Sequence, residues 1–157
     1  MSVEENKAMS RRFWEEINKG NQAVLDELFA ADFVLHIPLQ LNGLERFKPY
    51  MNRLFIAFPD YHTTVEDIVA EGDKVVTRLT ATGTHQAEFL GIAPTGKQLT
   101  WTLTLITRIV GGKVVEGWQM VDRLDLLQQM GAMTLSREGL RVFPLTGIII
   151  AESNEKN

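Results

Sequence analysis

QLTWTLTLITRIVGGKVVEGWQMV, residues 98–121, is the stretch whose reading decides the fold. In an extended strand, alternate residues face opposite sides. Leu99, Trp101, Leu103 and Leu105 therefore share one face, and Thr100, Thr102, Thr104 and Ile106 share the other. Gly111-Gly112 breaks the run as a tight turn, and a second β-rich segment follows. The spacing predicts antiparallel strands over 98–110 and 113–121 with one apolar face. The Thr-rich face suits solvent, and equally suits contact with a second copy of the chain.

Toward the N-terminus, residues 74–86 split the same way. Val75, Leu79, Ala81 and His85 oppose Arg78, Thr80, Thr82 and Thr84. A weaker β-rich run near 62–70 precedes them across Glu71-Gly72-Asp73, and a Gly/Pro loop at 87–97 leads on to residue 98. Before His62 the period changes. Met9, Phe13 and Ile17 form a helical stripe ended by Gly20, and Asn21 is placed to cap a short second helix carrying Val24, Leu25, Leu28 and Phe29. Asp32 to Ile37 reads as a brief strand stopped by Pro38. Leu44, Phe47, Met51, Leu54, Phe55 and Phe58 return to helical spacing until Pro59. Past residue 121, Asp122 is placed to cap a short helix ending at Gly131. Helices first and an antiparallel meander second predict an α+β fold.

Composition narrows the function classes. With 157 residues, the chain fits one domain with a sizeable core. A net charge of −4 without a basic stripe disfavours nucleic acid and anionic membrane surfaces as partners. There is no cysteine, which removes disulfides, thiolate metal sites and a cysteine nucleophile. The start lacks the apolar core of a signal peptide, and the most apolar stretch, Ile148–Ala151, is far short of the roughly 20 residues that cross a bilayer. The cytoplasm is the expected compartment.

Three stretches carry a family resemblance: residues 6–36, residues 58–97 with their GTHQAEFLGIAPTGK loop, and residues 108–131 ending in LLQQMG. They resemble the SnoaL-like polyketide cyclases, within the nuclear-transport-factor and ketosteroid-isomerase fold group. The resemblance implies a cone-shaped α+β barrel, with three helices packed on a strongly curved, mainly antiparallel sheet around a pocket. It also implies a homodimer or larger homo-oligomer, and ring closure by aldol condensation without metal or cofactor. An aspartate serves these cyclases as general acid/base and a histidine assists. Counted back from LLQQMG, the aspartate position falls on Gln119 and the histidine position on Leu105, both on the apolar-face parity. Neither side chain takes up a proton at neutral pH.

On this reading residues 1–131 form the domain, and 132–157 form an extension that packs on it or on a partner subunit, because Ile148–Ile150 are too apolar to stay exposed. The ligand is a small, largely apolar molecule. The pocket is expected to be lined by Trp14, Phe55, Phe58, Leu79, Phe89, Trp101, Leu103, Leu105 and Gln119. His36 and His85 are the candidate bases, because imidazole titrates near neutrality, while His62 reads as surface. The three histidines match no metal-binding spacing. Three readings stay open: a binding or carrier protein, a cofactor-independent cyclase or isomerase, and an oligomerisation module.

Overall fold

Ser2 starts the first helix. Its hydroxyl accepts the Glu5 backbone N–H at 3.1 Å while the Glu5 carboxylate accepts the Ser2 N–H at 2.6 Å, a reciprocal cap. In this computed structural model, which describes residues 1–37, 40–136 and 139–142, α1 then runs Val3–Asn18. Met9, Phe13 and Ile17 are buried on its inner stripe. The second helix, α2, is Val24–Leu28, and its N-cap is Ala23 rather than Asn21. Asn21 instead donates its side-chain amide to Glu16 at 2.6 Å. Phe29 leaves the helix and opens β1 (Phe29–His36), three residues earlier than the apolar run predicted. After β2 (Leu41–Asn42) comes α3 (Leu44–Ala57).

The four meander strands fall where the alternation placed them, as β3 (His62–Glu71), β4 (Lys74–Thr84), β5 (Gln98–Val110) and β6 (Lys113–Val121). Asp122 caps α4 (Arg123–Gln129) by accepting the Asp125 N–H at 3.1 Å. The strands form one mixed sheet in the order β2-β1-β6-β5-β4-β3, with β1 parallel to β6 and the other pairs antiparallel. α1 packs on β3 and β4, and α3 packs on β1 and β2.

The barrel expected from the resemblance is not formed. The sheet is neither strongly curled nor closed. Closure requires the two edge strands to pair with each other. Here β2 and β3 stand at opposite edges, and β2, with two residues, offers β3 almost no ladder.

The side-chain alternation holds on β4 and β5. Val75, Leu79, Ala81 and His85 are buried with Leu99, Trp101 and Leu103, while Thr100 and Thr102 are exposed. It shifts on β6. Arg108 faces Glu116, but the next residue, Ile109, faces Val114, so Val115 is the extra residue of a β-bulge and Val114 takes the buried place.

Beyond α4, Ala132 and Met133 are buried, and β7 (Met133–Ser136) pairs with β8 (Gly139–Val142). Ile148–Ile150, on which the expected packing of the extension rests, lie outside the described residues. Among the described residues no helix is long and apolar enough to cross a membrane.

Candidate functional site

Between α1, α3 and the β1–β6–β5 part of the sheet the apolar layers do not quite meet. They leave a cavity of about 20 Å³, lined by Trp14, Phe33, Phe47, Tyr50, Leu105 and Gln119 among others. A smaller void of about 10 Å³, sharing Phe13, Trp14 and Leu105, continues toward Met9. The larger holds about one water molecule. Outside it, a groove of about 320 Å³ runs between α3 and the loop after β4, lined by Tyr50, Arg53, Leu54, Glu88, Phe89 and Leu90. Tyr50 lines both spaces.

The polar residues of the cavity, Trp14, Tyr50, Thr107 and Gln119, come from four elements, α1, α3, β5 and β6. Leu105 and Gln119 are direct cross-strand partners on β5 and β6 and face the cavity together, as their shared parity predicts. Tyr50, on α3, donates its hydroxyl proton to Gln119 Oε1 at 3.2 Å. Burial pushes the Tyr50 phenol above its ordinary value, against the opposing pull of Arg123 and Arg53. It is therefore a hydrogen-bond donor at neutral pH. Trp14, on α1, is 4% exposed, and its indole N–H has no acceptor among the described residues.

The other residues singled out from the sequence occupy different places. Phe89 lines the outer groove. Phe58, Leu79, Trp101 and Leu103 are packed core, with Phe58 and Trp101 ring centroids 5.1 Å apart, and none of them lines a described cavity. Phe55 is partly buried, edge-on to Tyr61 at 5.7 Å. His62 is exposed.

His85 is fully buried beside Phe58, at 5.6 Å between ring centroids. Its Nδ1 accepts the Thr95 backbone N–H at 3.2 Å, which places the neutral ring's proton on Nε2. That nitrogen is buried without a partner among the described residues. Burial lowers the His85 pKa below its ordinary 6.5. With the His85 N–H donating to Lys97 O and the Gly96 N–H to His85 O, the residue ties down the end of the loop whose earlier part walls the groove.

His36 lies on the opposite face of the sheet. Its ring stacks on Trp118 at 5.1 Å, and its Nε2 is 2.8 Å from Glu116. Arg108 donates to the other Glu116 oxygen at 2.9 Å, and hydrogen bonds from His36 and Arg108 hold the Glu116 carboxyl below the usual carboxylate range. The two candidate bases thus sit apart from each other and from the cavity. Among the described residues no group of three or more His, Cys, Asp or Glu is placed to hold a metal ion.

Tyr50 is the functional candidate that sequence reasoning missed. The signal was present: it stands three residues after Phe47 and four before Leu54, on the same helical stripe. A tyrosine on such a stripe brings an apolar body and a polar tip into the interior.

Comparison with known proteins places this geometry. The profile of the SnoaL-like polyketide cyclases matches residues 8–130. Among solved structures, AclR of Streptomyces galilaeus, described as a candidate hydroxylase, is 33% identical with a TM-score of 0.76, covering 83% of this chain and 98% of its own. IdmH of Streptomyces antibioticus, a candidate polyketide cyclase, is 32% identical with a TM-score of 0.71, covering 80% and 98%. TsrD of Streptomyces laurentii is 27% identical with a TM-score of 0.77, covering 84% and 98%. No curated relative matches the chain.

Proposed function

The chain belongs to the SnoaL-like polyketide cyclase family, and on that premise we propose that it binds a small, largely apolar, cyclic or polyketide-like molecule in its interior site. One observation carries the reading. Tyr50 alone of the residues named above borders both the buried cavity and the outer groove, and one hydrogen bond to Gln119 holds its hydroxyl. Turning that ring outward would join the two spaces into a volume of the size that small-molecule sites occupy, about 300–1,000 Å³. In this reading Gln119 and Leu105 stand where cyclases of the family carry their aspartate and histidine, so the site binds and orients without a proton acceptor of that kind.

The runner-up is a cofactor-independent cyclase or isomerase with His36 or His85 as base. It draws less support, because a base must reach the proton that it removes and neither histidine lines the cavity. Relatives described as a hydroxylase and as a cyclase suggest that such pockets change chemistry readily. We further propose that the protein works in the cytoplasm as a homodimer or larger homo-oligomer. The outer sheet face, where Thr100, Thr102 and the 76%-exposed Met120 lie open, would supply the contact.

The test uses thermal shift with aromatic ketones on the wild-type chain and on Leu105→Trp, which fills the cavity. Ligands should raise the wild-type melting temperature and leave the variant's unchanged. Equal shifts in both proteins would place binding elsewhere and overturn the interior site.

A further inference from the structure

Two of the residues that line the cavity carry open hydrogen-bonding valences of one kind. Trp14 lines it, and the indole N–H is buried without an acceptor among the described residues. A buried tryptophan N–H ordinarily has a partner, so an unmet one beside a void calls for an explanation. Gln119 lines the same cavity, and its carbonyl oxygen is engaged by the Tyr50 hydroxyl at 3.2 Å, which leaves the amide N–H₂ as its open function. Thr107, the other polar residue of the lining, directs its hydroxyl to the Val75 carbonyl at 3.5 Å. No carboxylate, imidazole or cation lines the space. A ligand that filled it with hydrocarbon alone would bury two donors unmet, and so would one presenting a donor of its own.

We infer that Trp14 and Gln119 are the specificity-determining pair of the interior site, selecting an apolar ring that bears an acceptor oxygen, as a ring ketone does. The acceptor takes hydrogen bonds from Trp14 Nε1–H on the helix side and from Gln119 Nε2–H on the sheet side. Tyr50 is then the latch of the closed site: its donation to Gln119 Oε1 holds the amide until the ring turns outward, and selection of the acceptor in the opened site rests on Trp14 and Gln119. This rests on the interior-site reading above and adds what the site demands of its occupant. It also separates the roles of two buried groups. His85 Nε2 is equally unmet among the described residues, but His85 lines none of the cavities described above.

The experiment compares 1-indanone with indane, bicyclic probes that differ by one carbonyl, on the ¹⁵N-labelled full chain. Three indole N–H cross-peaks are expected, from Trp14, Trp101 and Trp118, and Trp14→Phe identifies the first by its loss. The ketone should bind about five- to tenfold more tightly than the hydrocarbon, the worth of about one net hydrogen bond. It should also move the Trp14 cross-peak downfield, whereas indane should leave it nearly in place. Trp14→Phe and Gln119→Leu should each reduce the preference to about twofold or less while still binding indane, which shows that the cavity persists. Equal binding of both probes by the wild type would overturn the inference and leave the interior site standing. So would a preference that survives both variants. If neither probe binds, the void is a water site and both readings fall. The wild-type comparison and the cross-peak shift need no variant, so misfolding of Trp14→Phe would not protect the inference.

Discussion

At one end of the interior, Phe58 meets Phe89 and Trp101 with ring centroids 5.1 Å away in each case, and no described cavity touches Phe58 or Trp101. At the other end, Phe33 lies 4.8 Å from Phe29 and 5.1 Å from Phe47, an equally dense aromatic cluster, yet a void remains beside it. Aromatic content therefore does not separate a core from a site. Each end also carries one buried nitrogen without a partner among the described residues, His85 Nε2 and Trp14 Nε1 respectively, so an unmet polar atom does not separate them either. What differs is space. At the filled end the Gly83 backbone presses so closely on Phe58 that an added Cβ would stand 2.8 Å from its Cβ. At the cavity end a Cβ on Gly117 would meet the tip of Leu35 at 3.2 Å and the rim of Phe33 at 3.3 Å. An orphaned donor becomes a recognition group only where something can be placed next to it.

The largest effect should come from emptying the filled end. Phe58 is 0% exposed and touches three other rings, so Phe58→Ala should cost about 3–5 kcal/mol in urea unfolding, with a lowered midpoint and little change in slope. A cost below ~1 kcal/mol would mean that this end is no better packed than the other. Adding volume sharpens the contrast. Gly83→Ala drives a methyl against a backbone-fixed Cβ and should cost about 1–3 kcal/mol. Gly117→Ala meets a flexible side-chain tip with a void nearby, and should stay under about 1.5 kcal/mol. Equal penalties would erase the distinction between the two ends.

The residues show why one part of this was readable in the sequence and another was not. Strand alternation is a period of two, and packing against helices enforces it. The inward positions of Val75, Leu79, Ala81, Leu99, Trp101 and Leu103 were therefore visible in the sequence. The bulge that takes Val115 out of phase left no such mark, because it inserts one residue without changing the apolar composition. Whether the sheet closes was equally hidden, since closure depends on whether β2 and β3 meet, and that is a property of the whole sheet. The shared inward parity of Leu105 and Gln119 was legible, but not their cross-strand pairing, since a bulge-free continuation from the Gly111-Gly112 turn would set Leu105 opposite Trp118. Which apolar side chains would fill space and which would border a void was not, because a difference of tenths of an ångström at Gly83 and Gly117 lies below what residue types encode.

The partition between cavity and groove should respond more weakly. Tyr50→Phe keeps the ring and removes the hydroxyl, so it loses the one bond to Gln119 at a net cost of about 1 kcal/mol. Its more telling effect is on access: with the latch gone, ligand entry should quicken in stopped-flow mixing while the equilibrium affinity changes less. Unchanged entry rates would show that this hydrogen bond does not keep the two spaces apart.

The smallest effect belongs to the orphan that faces no void, and it is a pH effect whose sign is fixed. Burial favours neutral His85, so its folded pKa lies below the ordinary 6.5. The unfolded chain then binds more protons than the folded one in the interval between the two values, and stability falls as the solution is acidified. The contribution is fully present above 6.5 and is lost as pH drops through the folded value. The structural reason is that a second ring proton would have to sit on Nδ1, where the Thr95 N–H now donates at 3.2 Å. His85→Asn offers Oδ1 as an acceptor for that N–H and does not titrate. Unfolding measured from pH 7.5 downward should therefore show the wild type losing stability faster than His85→Asn below 6.5. The excess should coincide with loss of amide-exchange protection at Thr95 and Gly96. Curves that stay parallel through this range would mean that the buried imidazole has no stake in holding the loop.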